Sequence, residues 1–227
     1  MLLRHKTKAP VQKSTTIKDV AESEIKQVII SLIKSCLKWN EPDFSHAYND
    51  IILSYPKIKN DSLIVRARLR SLLLDQQYEA GVKYYENIIR HKCPHLNADK
   101  YVALTVGMLY YYLDKFDHSI YYINLSKSFK VVKVNLPSEF FTEKDYIEYN
   151  LDSLIEIDSE DEQRLKIMEI ECYGYRNNFF RANKLLAEFE KEYKYPSYGF
   201  YTAKGLLLVR QGKRQEGEAA IKEAIII

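Results

Sequence analysis

The chain is poor in glycine, proline and cysteine, with seven, six and three of them in 227 residues. So few turn-forming residues argue against an all-β sandwich, which needs a turn every ~8–12 residues. Cys36, Cys93 and Cys172 are far apart in the sequence, so no disulfide framework is predicted. A reducing, cytoplasmic compartment fits this cysteine usage best.

Further absences narrow the class of function. No apolar run approaches the ~18 residues of a membrane span, and no apolar core follows the basic N-terminal residues, so secretion is not expected. The net charge of +3 is too small to indicate nucleic-acid binding. Without a Gly-rich phosphate loop or a serine in a nucleophile turn, we predict neither an enzyme activity nor a cofactor.

A periodic pattern is present instead. Five times, an aromatic or basic residue is followed three positions later by a very small one: Phe44 and Ala47, Tyr78 and Gly81, Phe116 and Ser119, Phe179 and Ala182, Arg214 and Gly217. Successive pairs start 34, 38, 63 and 35 residues apart. A period near 34 is typical of stacked helical hairpins, in which small residues let two helices approach. We therefore predict an all-α fold.

The periodicity also sets the expected domain organisation. Apolar residues at helical spacing begin at Ile25, so we expect a flexible basic tail over 1–24 and a helical repeat domain over 25–227. The step of 63 residues leaves 128–162 as an insertion or a degenerate repeat. Within it, Thr142 and Asp145 have the spacing of a helix-start cap and predict a helix over about 143–157.

The turns within the hairpins are expected at Trp39-Asn40, Asp75-Gln76-Gln77, Asp114-Lys115, Asn177-Asn178 and Gln211-Gly212. The last hairpin then carries six residues at fixed phase: Tyr201, Gly205, Leu208, Gly217, Ile221 and Ala224. The third carries Gly107, Tyr110, Ser119, Ile123 and Ser126 at matching places. In the second, Leu69 replaces the first small residue.

With these residues the chain resembles tetratricopeptide repeat proteins over about residues 25–127 and 163–227. The resemblance implies a right-handed superhelix of about five hairpins whose leading helices line a concave groove. It places these side chains in the groove, as contacts for a partner: Arg66, Arg70, Leu73, Tyr101, Leu104, Met108, Tyr111 and Arg164.

Arg66 and Arg70 are four residues apart and project from one helical face. Because like charges at this spacing repel, a carboxylate or phosphate held by both guanidinium groups would compensate. The alternatives are a solvated face, or pairing with Asp75 or with the acidic insertion. Residues 139–171 carry twelve acidic and three basic residues, which indicates a solvated acidic connector.

Other residue groups have plainer interpretations. Tyr110 and Tyr122 are expected in the core, although an aromatic-lined groove would also suit peptide binding. His91, Cys93 and His95 lie close together, but a fourth ligand is lacking, so we expect an inter-repeat loop and no metal site. The apolar end, Ala224–Ile227, predicts contact with a partner or a second copy, or a chain that continues.

The function that fits these patterns is an adaptor or scaffold, which binds a peptide segment of a partner, acidic where it meets the arginines, in the concave groove. Two alternatives stay open, and both rest on resemblance. One is a ligand- or peptide-sensing module of a bacterial transcription regulator. The other is a secretion chaperone.

Overall fold

The computed structural model describes residues 17–38, 40–41, 43–130, 140–157, 159–194 and 196–226. Regular structure in these ranges is helical, apart from one isolated bridge between Asp99 and Lys130. This confirms the all-α prediction. The α-helices of the described ranges are α1 (Ile17–Lys38), α2 (Asp43–Ser54), α3 (Ser62–Leu74), α4 (Tyr78–Tyr84), α5 (Lys100–Tyr112), α6 (Phe116–Ser128), α7 (Glu143–Glu148), α8 (Ser159–Tyr175), α9 (Phe179–Glu192), α10 (Tyr198–Arg210) and α11 (Arg214–Ile226).

Shorter helical pieces complete the described chain. Helix α4 continues through a π-helical turn at Tyr85–Ile89 into a last α-helical turn at Arg90–Lys92. Three 3-10 turns lie at Pro56–Asn60, Pro94–Leu96 and Leu151–Ile155. Of the helices that the structure describes, none is both long and apolar enough to cross a membrane.

The helices form two layers. Helices α1, α3, α5, α8 and α10 follow one another in contact, each against the next, and we call them the leading layer. Helices α2, α4, α6, α9 and α11 each pack against the preceding leading helix and against the following one where there is one. This order is that of a stack of five helical hairpins.

Each hairpin turn contains one residue with positive φ. These are Asn40 (φ 58°), Gln76 (56°), Asp114 (56°), Asn177 (56°) and Gly212 (81°). Gly, Asn and Asp tolerate this left-handed conformation best, and four of the five turns use one of them. The turns lie where the sequence predicted them.

The small residues of the pattern lie at helix contacts. Ser119 and Ala182 are fully buried, and Gly217 is also buried. Helices α10 and α11 approach closely, since a Cβ on Gly205 would lie 2.8 Å from the Gly217 carbonyl oxygen. A Cβ on Gly217 would lie 2.7 Å from the Gly205 carbonyl oxygen. These two backbones can meet only because neither residue has a side chain.

Two boundaries differ from those predicted. Helix α1 begins at Ile17, so residues 17–24 are helical and do not belong to the expected tail. Residues 1–16 lie outside the described part of the chain. The helix expected over 143–157 ends at Glu148, because Asn150 adopts a left-handed conformation (φ 49°) and a 3-10 turn follows.

The predicted cap at the start of α7 is confirmed. The Thr142 hydroxyl accepts a hydrogen bond from the Asp145 backbone N–H at 3.3 Å, and an Asp145 carboxylate oxygen accepts one from the Thr142 N–H at 2.7 Å. This reciprocal pair satisfies two backbone donors at the helix start. The capped α7 belongs to residues 140–157, which we call the fold-back segment.

Candidate partner-binding surface

Arg66 does not face an open groove. Its side chain is fully buried, and its Nη2 and Nε donate to the two Asp99 carboxylate oxygens at 2.9 and 3.3 Å. Asp99 also caps α5 by accepting from the Val102 N–H at 2.9 Å. The forked acceptor expected from a partner is therefore supplied inside the chain, by Asp99, which corrects the expected role of Arg66.

Arg70 is also covered, with 5% of its surface exposed. Its Nη2 donates to the Asn40 side-chain oxygen at 2.6 Å and lies 4.0 Å from Asp161 Oδ1. Its Nη1 lies 3.6 Å from the Met108 sulfur. Asp161 belongs to the acidic stretch, so the alternative of pairing with the acidic insertion describes Arg70. The prediction that Arg66 and Arg70 together hold an anionic group of a partner is therefore corrected: both guanidinium groups have partners within the chain.

The fold-back segment covers the leading layer next to these arginines. Its side chains Phe140, Phe141, Leu151, Leu154 and Ile155 are buried in one cluster with residues of α1, α2 and α3 and with Tyr101 of α5. Tyr101, expected in the groove, is 6% exposed. The chain thus fills this part of its own leading face.

A polar contact fixes the segment to α1. Lys26 Nζ donates to Asp145 Oδ2 at 3.0 Å. Burial alone would raise the pKa of Asp145, but the hydrogen bonds from Thr142 and from Lys26 bring the pKa below its ordinary value. The carboxylate is therefore ionised at neutral pH and holds α7 against α1.

Three more of the expected groove residues are partly or fully covered. Leu73 and Met108 are buried. The half-buried Tyr111 donates its hydroxyl hydrogen to Glu171 Oε2 at 2.7 Å. Burial raises the pKa of Glu171, and the Tyr111 hydrogen bond offsets part of that rise. The Tyr111–Glu171 hydrogen bond joins α5 to α8, and all three expected residues offer a partner little surface.

Among the residues expected in the groove, Arg164 remains exposed, with 44% of its side-chain surface accessible to solvent. It lines a polar cavity of about 180 Å³ at the start of α8. The lining residues are Leu37, Lys38, Asn40, Ser153, Leu154, Glu156, Glu160, Asp161 and Arg164. With three acidic and two basic residues, this lining does not favour an acidic partner group.

A second, largely apolar cavity of about 220 Å³ lies between α5, α6 and α8. Its lining includes Leu104, which the sequence placed in the groove. The full lining is Lys100, Leu104, Ile123, Ser126, Lys127, Glu162, Leu165, Lys166 and Glu169. Leu104 and Arg164 thus lie in separate cavities, and neither cavity is lined by Arg66 or Arg70.

Glu169 is the unusual member of the apolar cavity. Its side chain is 1% exposed, and Oε2 accepts a hydrogen bond from Lys127 Nζ at 2.6 Å. Its other oxygen, Oε1, is shielded from solvent and has no hydrogen-bond partner among the described residues. A buried acceptor without a donor is unfavourable, and nothing in the periodic pattern distinguished this residue.

The cysteine and histidine side chains show no built chemical site in the described ranges. Burial raises the pKa of Cys36 and of Cys172 to about 12, so neither thiol is a nucleophile at neutral pH. His95 Nε2 lies 2.9 Å from the Ser62 hydroxyl. Across the residues that the structure describes, no three potential metal ligands come together.

The expected core aromatics and the apolar end are placed as follows. Tyr110 and Tyr122 are buried and stack with their ring centroids 5.5 Å apart, which confirms the core interpretation. Ile225 and Ile226 are exposed, and contact with a second copy there stays a prediction. Comparison with known proteins gives no family model, no curated protein and no solved structure that matches the chain.

Proposed function

We propose that this chain is a protein-interaction scaffold, a right-handed superhelix of tetratricopeptide-like hairpins that binds a segment of a partner protein along its leading layer. The five turns of matching conformation and the two-layer order support this architecture. The role requires no catalysis. The three buried cysteines of the chain are free thiols, which is compatible with a reducing compartment such as the cytoplasm.

The observation that carries the proposal is the position of the fold-back segment. It comes from outside the hairpin pattern, and its apolar side chains lie in one buried cluster with Leu63, Ile64 and Ala67 of α3. Its contact with α1 is completed by the Lys26–Asp145 ion pair. The leading layer therefore already binds one short, non-repeat segment, and this is the kind of contact that a partner peptide would make.

One place that the fold-back segment leaves open to a partner is the apolar cavity between α5, α6 and α8. The fold-back segment contributes no residue to its lining. Such concave, largely apolar sites with a few polar groups are the usual form of a binding pocket. A partner segment would run across the cavity and place one side chain in it.

Site-specific photo-crosslinking tests this function. A photoreactive amino acid replaces Lys166 at the cavity, and in a control protein it replaces Lys222, which is exposed on α11. We expect one partner to crosslink at position 166 and not at 222, with the crosslinked peptide mapped by mass spectrometry. The purified partner should then bind the unmodified chain in solution. Equal crosslinking at both positions, or no binding by the purified partner, would contradict the proposal.

A further inference from the structure

The apolar cavity has the size of an aromatic side chain. Its volume is about 220 Å³, and an apolar cavity of about 150 Å³ is enough to bind benzene. Leu104, Ile123 and Leu165 provide its apolar walls, one from each of α5, α6 and α8. A ring with one substituent therefore fits.

The buried oxygen of Glu169 indicates what the substituent must do. Oε2 is already bonded to Lys127, while Oε1 receives no hydrogen bond from any described residue. The last torsion of a glutamate side chain is soft and the Lys127 side chain is half exposed. The carboxylate can therefore turn Oε1 towards a donor that enters the cavity while Lys127 follows Oε2. A ligand whose ring ends in an O–H or N–H would satisfy it.

The charges of the lining select a neutral donor. Each lysine of the lining already has an acidic partner: Lys127 pairs with Glu169 at 2.6 Å, Lys100 lies 3.5 Å from Glu162, and Lys166 pairs with Glu192. A lysine or arginine side chain would bring into the cavity a charge that has no carboxylate of its own there and would lose its hydration. A phenol or an indole brings a donor without a charge.

We propose that the cavity between α5, α6 and α8 binds a tyrosine or tryptophan side chain of the partner segment, whose O–H or N–H donates to Glu169. This assignment rests on the proposed scaffold function and names the partner group that it recognises. The ring contacts Leu104, Ile123 and Leu165, and its donor meets Glu169 Oε1, a buried carboxylate oxygen without a hydrogen-bond partner among the described residues. Aromatic side chains are common anchors at interfaces because they bury much area with few torsions.

The test titrates the intact chain with p-cresol and with toluene, and follows the methyl NMR signals of Leu104 and Leu165. We expect p-cresol to shift both signals and to bind about tenfold more tightly than toluene, because only p-cresol can donate to the carboxylate. Equal affinities, or shifts that avoid both leucines, would overturn the assignment.

Two variants identify the acceptor. In Glu169→Gln, Lys127 still requires the side-chain oxygen, so an NH₂ group replaces the free oxygen and the preference for p-cresol should disappear. Glu162→Gln removes the same charge from the cavity lining, where the carboxylate is half exposed, and should keep the preference. A preference that survives in Glu169→Gln, with its methyl spectrum still dispersed, would refute the role of Glu169. If Glu169→Gln does not fold, the ratio of p-cresol to toluene affinity in the unmodified chain still decides.

A final pair of probes separates this inference from the scaffold function. N-acetyl-tyrosinamide should bind more tightly than N-acetyl-phenylalaninamide, as expected for a residue within a peptide. If p-cresol binds but N-acetyl-tyrosinamide does not, the cavity receives a free phenol and the partner side chain is excluded. If a partner crosslinks at position 166 while no donor preference is found, the scaffold function stands and the aromatic anchor fails.

Discussion

The leading layer is covered to different extents in the two halves of the hairpin stack. Over α1, α3 and α5 the fold-back segment buries the leading layer, and Tyr101 keeps only 6% of its surface exposed. Over α8 and α10, Tyr175 and Leu206 line a small pocket between these two helices and remain 39% and 41% exposed in the described structure. The hairpin repeat alone thus does not decide whether its leading face is covered. A segment from outside the repeat does.

The two halves also differ in how they are held together. The first half depends on long-range side-chain contacts, including an ion pair between Arg66 and Asp99 that is fully buried. The last hairpin depends on backbone proximity, with Gly205 and Gly217 facing each other. The same type of substitution can be made in each half. Comparing the losses of stability then distinguishes stabilisation by side-chain contacts from stabilisation by backbone proximity.

The largest contrast is expected between two phenylalanines. Phe141 of the fold-back segment is fully buried, whereas Phe180 of α9 is 85% exposed. Phe141→Ala should cost about 3–5 kcal/mol of unfolding free energy, as deletion of a buried aromatic ring does. Phe180→Ala should stay within about 0.5 kcal/mol. Urea unfolding followed by circular dichroism measures both, and similar losses would remove the distinction between covered and uncovered halves.

The second contrast is between two ion pairs. Arg66→Ala leaves Asp99 charged and buried, which should cost about 3–5 kcal/mol. Arg176 and Asp117 form a pair of similar length, 2.8 Å, but both side chains are more than half exposed. Arg176→Ala should therefore cost less than about 1 kcal/mol. If 0.5 M salt weakens the Arg66 contribution as much as the Arg176 contribution, the Arg66 pair is not shielded from solvent.

Much of the scaffold was predictable because the periodic pattern is local. The small residues and the turn residues lie within a few positions of each other, so their spacing carries the hairpin geometry, as Asn177 and Ala182 show. The cap at Thr142 and Asp145 is equally local. Asn150 was missed because a left-handed residue within a polar stretch leaves no periodic signal.

The site was less predictable because its contacts are distant in sequence. Arg66 and Asp99 are 33 residues apart, and a single sequence offers many acids that could pair with Arg66. One signal in the sequence could have pointed to Asp99. It stands immediately before α5, where an aspartate commonly caps a helix start. Glu169 had no comparable signal, since its burial depends on Lys127 and on the packing of α6 against α8.

The third contrast tests the backbone contact of the last hairpin. A Cβ on Gly205 would meet the Gly217 carbonyl oxygen at 2.8 Å, whereas one on Gly199, in the same helix, would meet no atom closer than 3.8 Å. Gly205→Ala should cost about 1–3 kcal/mol, because the two helices must separate. Gly199→Ala should be neutral or add up to about 1 kcal/mol, since alanine favours the helix. Thermal unfolding of both variants checks this, and a neutral Gly205→Ala would show that α10 and α11 can move apart at no cost.

The smallest contrast concerns pH and the contact of α5 with α8. Because burial raises the pKa of Glu171 in the folded chain, its ionised form is less favourable there than in the unfolded chain. Glu171 therefore lowers stability at pH values above its folded pKa, and the loss disappears as the pH falls below the unfolded value. Glu171→Gln, which can still accept from Tyr111, should stabilise the fold at pH 7, and its advantage should shrink towards pH 4. Glu192 is the matched control, since its hydrogen bond from Lys166 lowers its pKa. Glu192→Gln should instead lose a little stability at pH 7, and this loss should fade only as the pH falls through the lowered pKa of Glu192. Urea unfolding across this pH range decides, and parallel curves for the two variants would mean that the Tyr111–Glu171 contact is open to solvent.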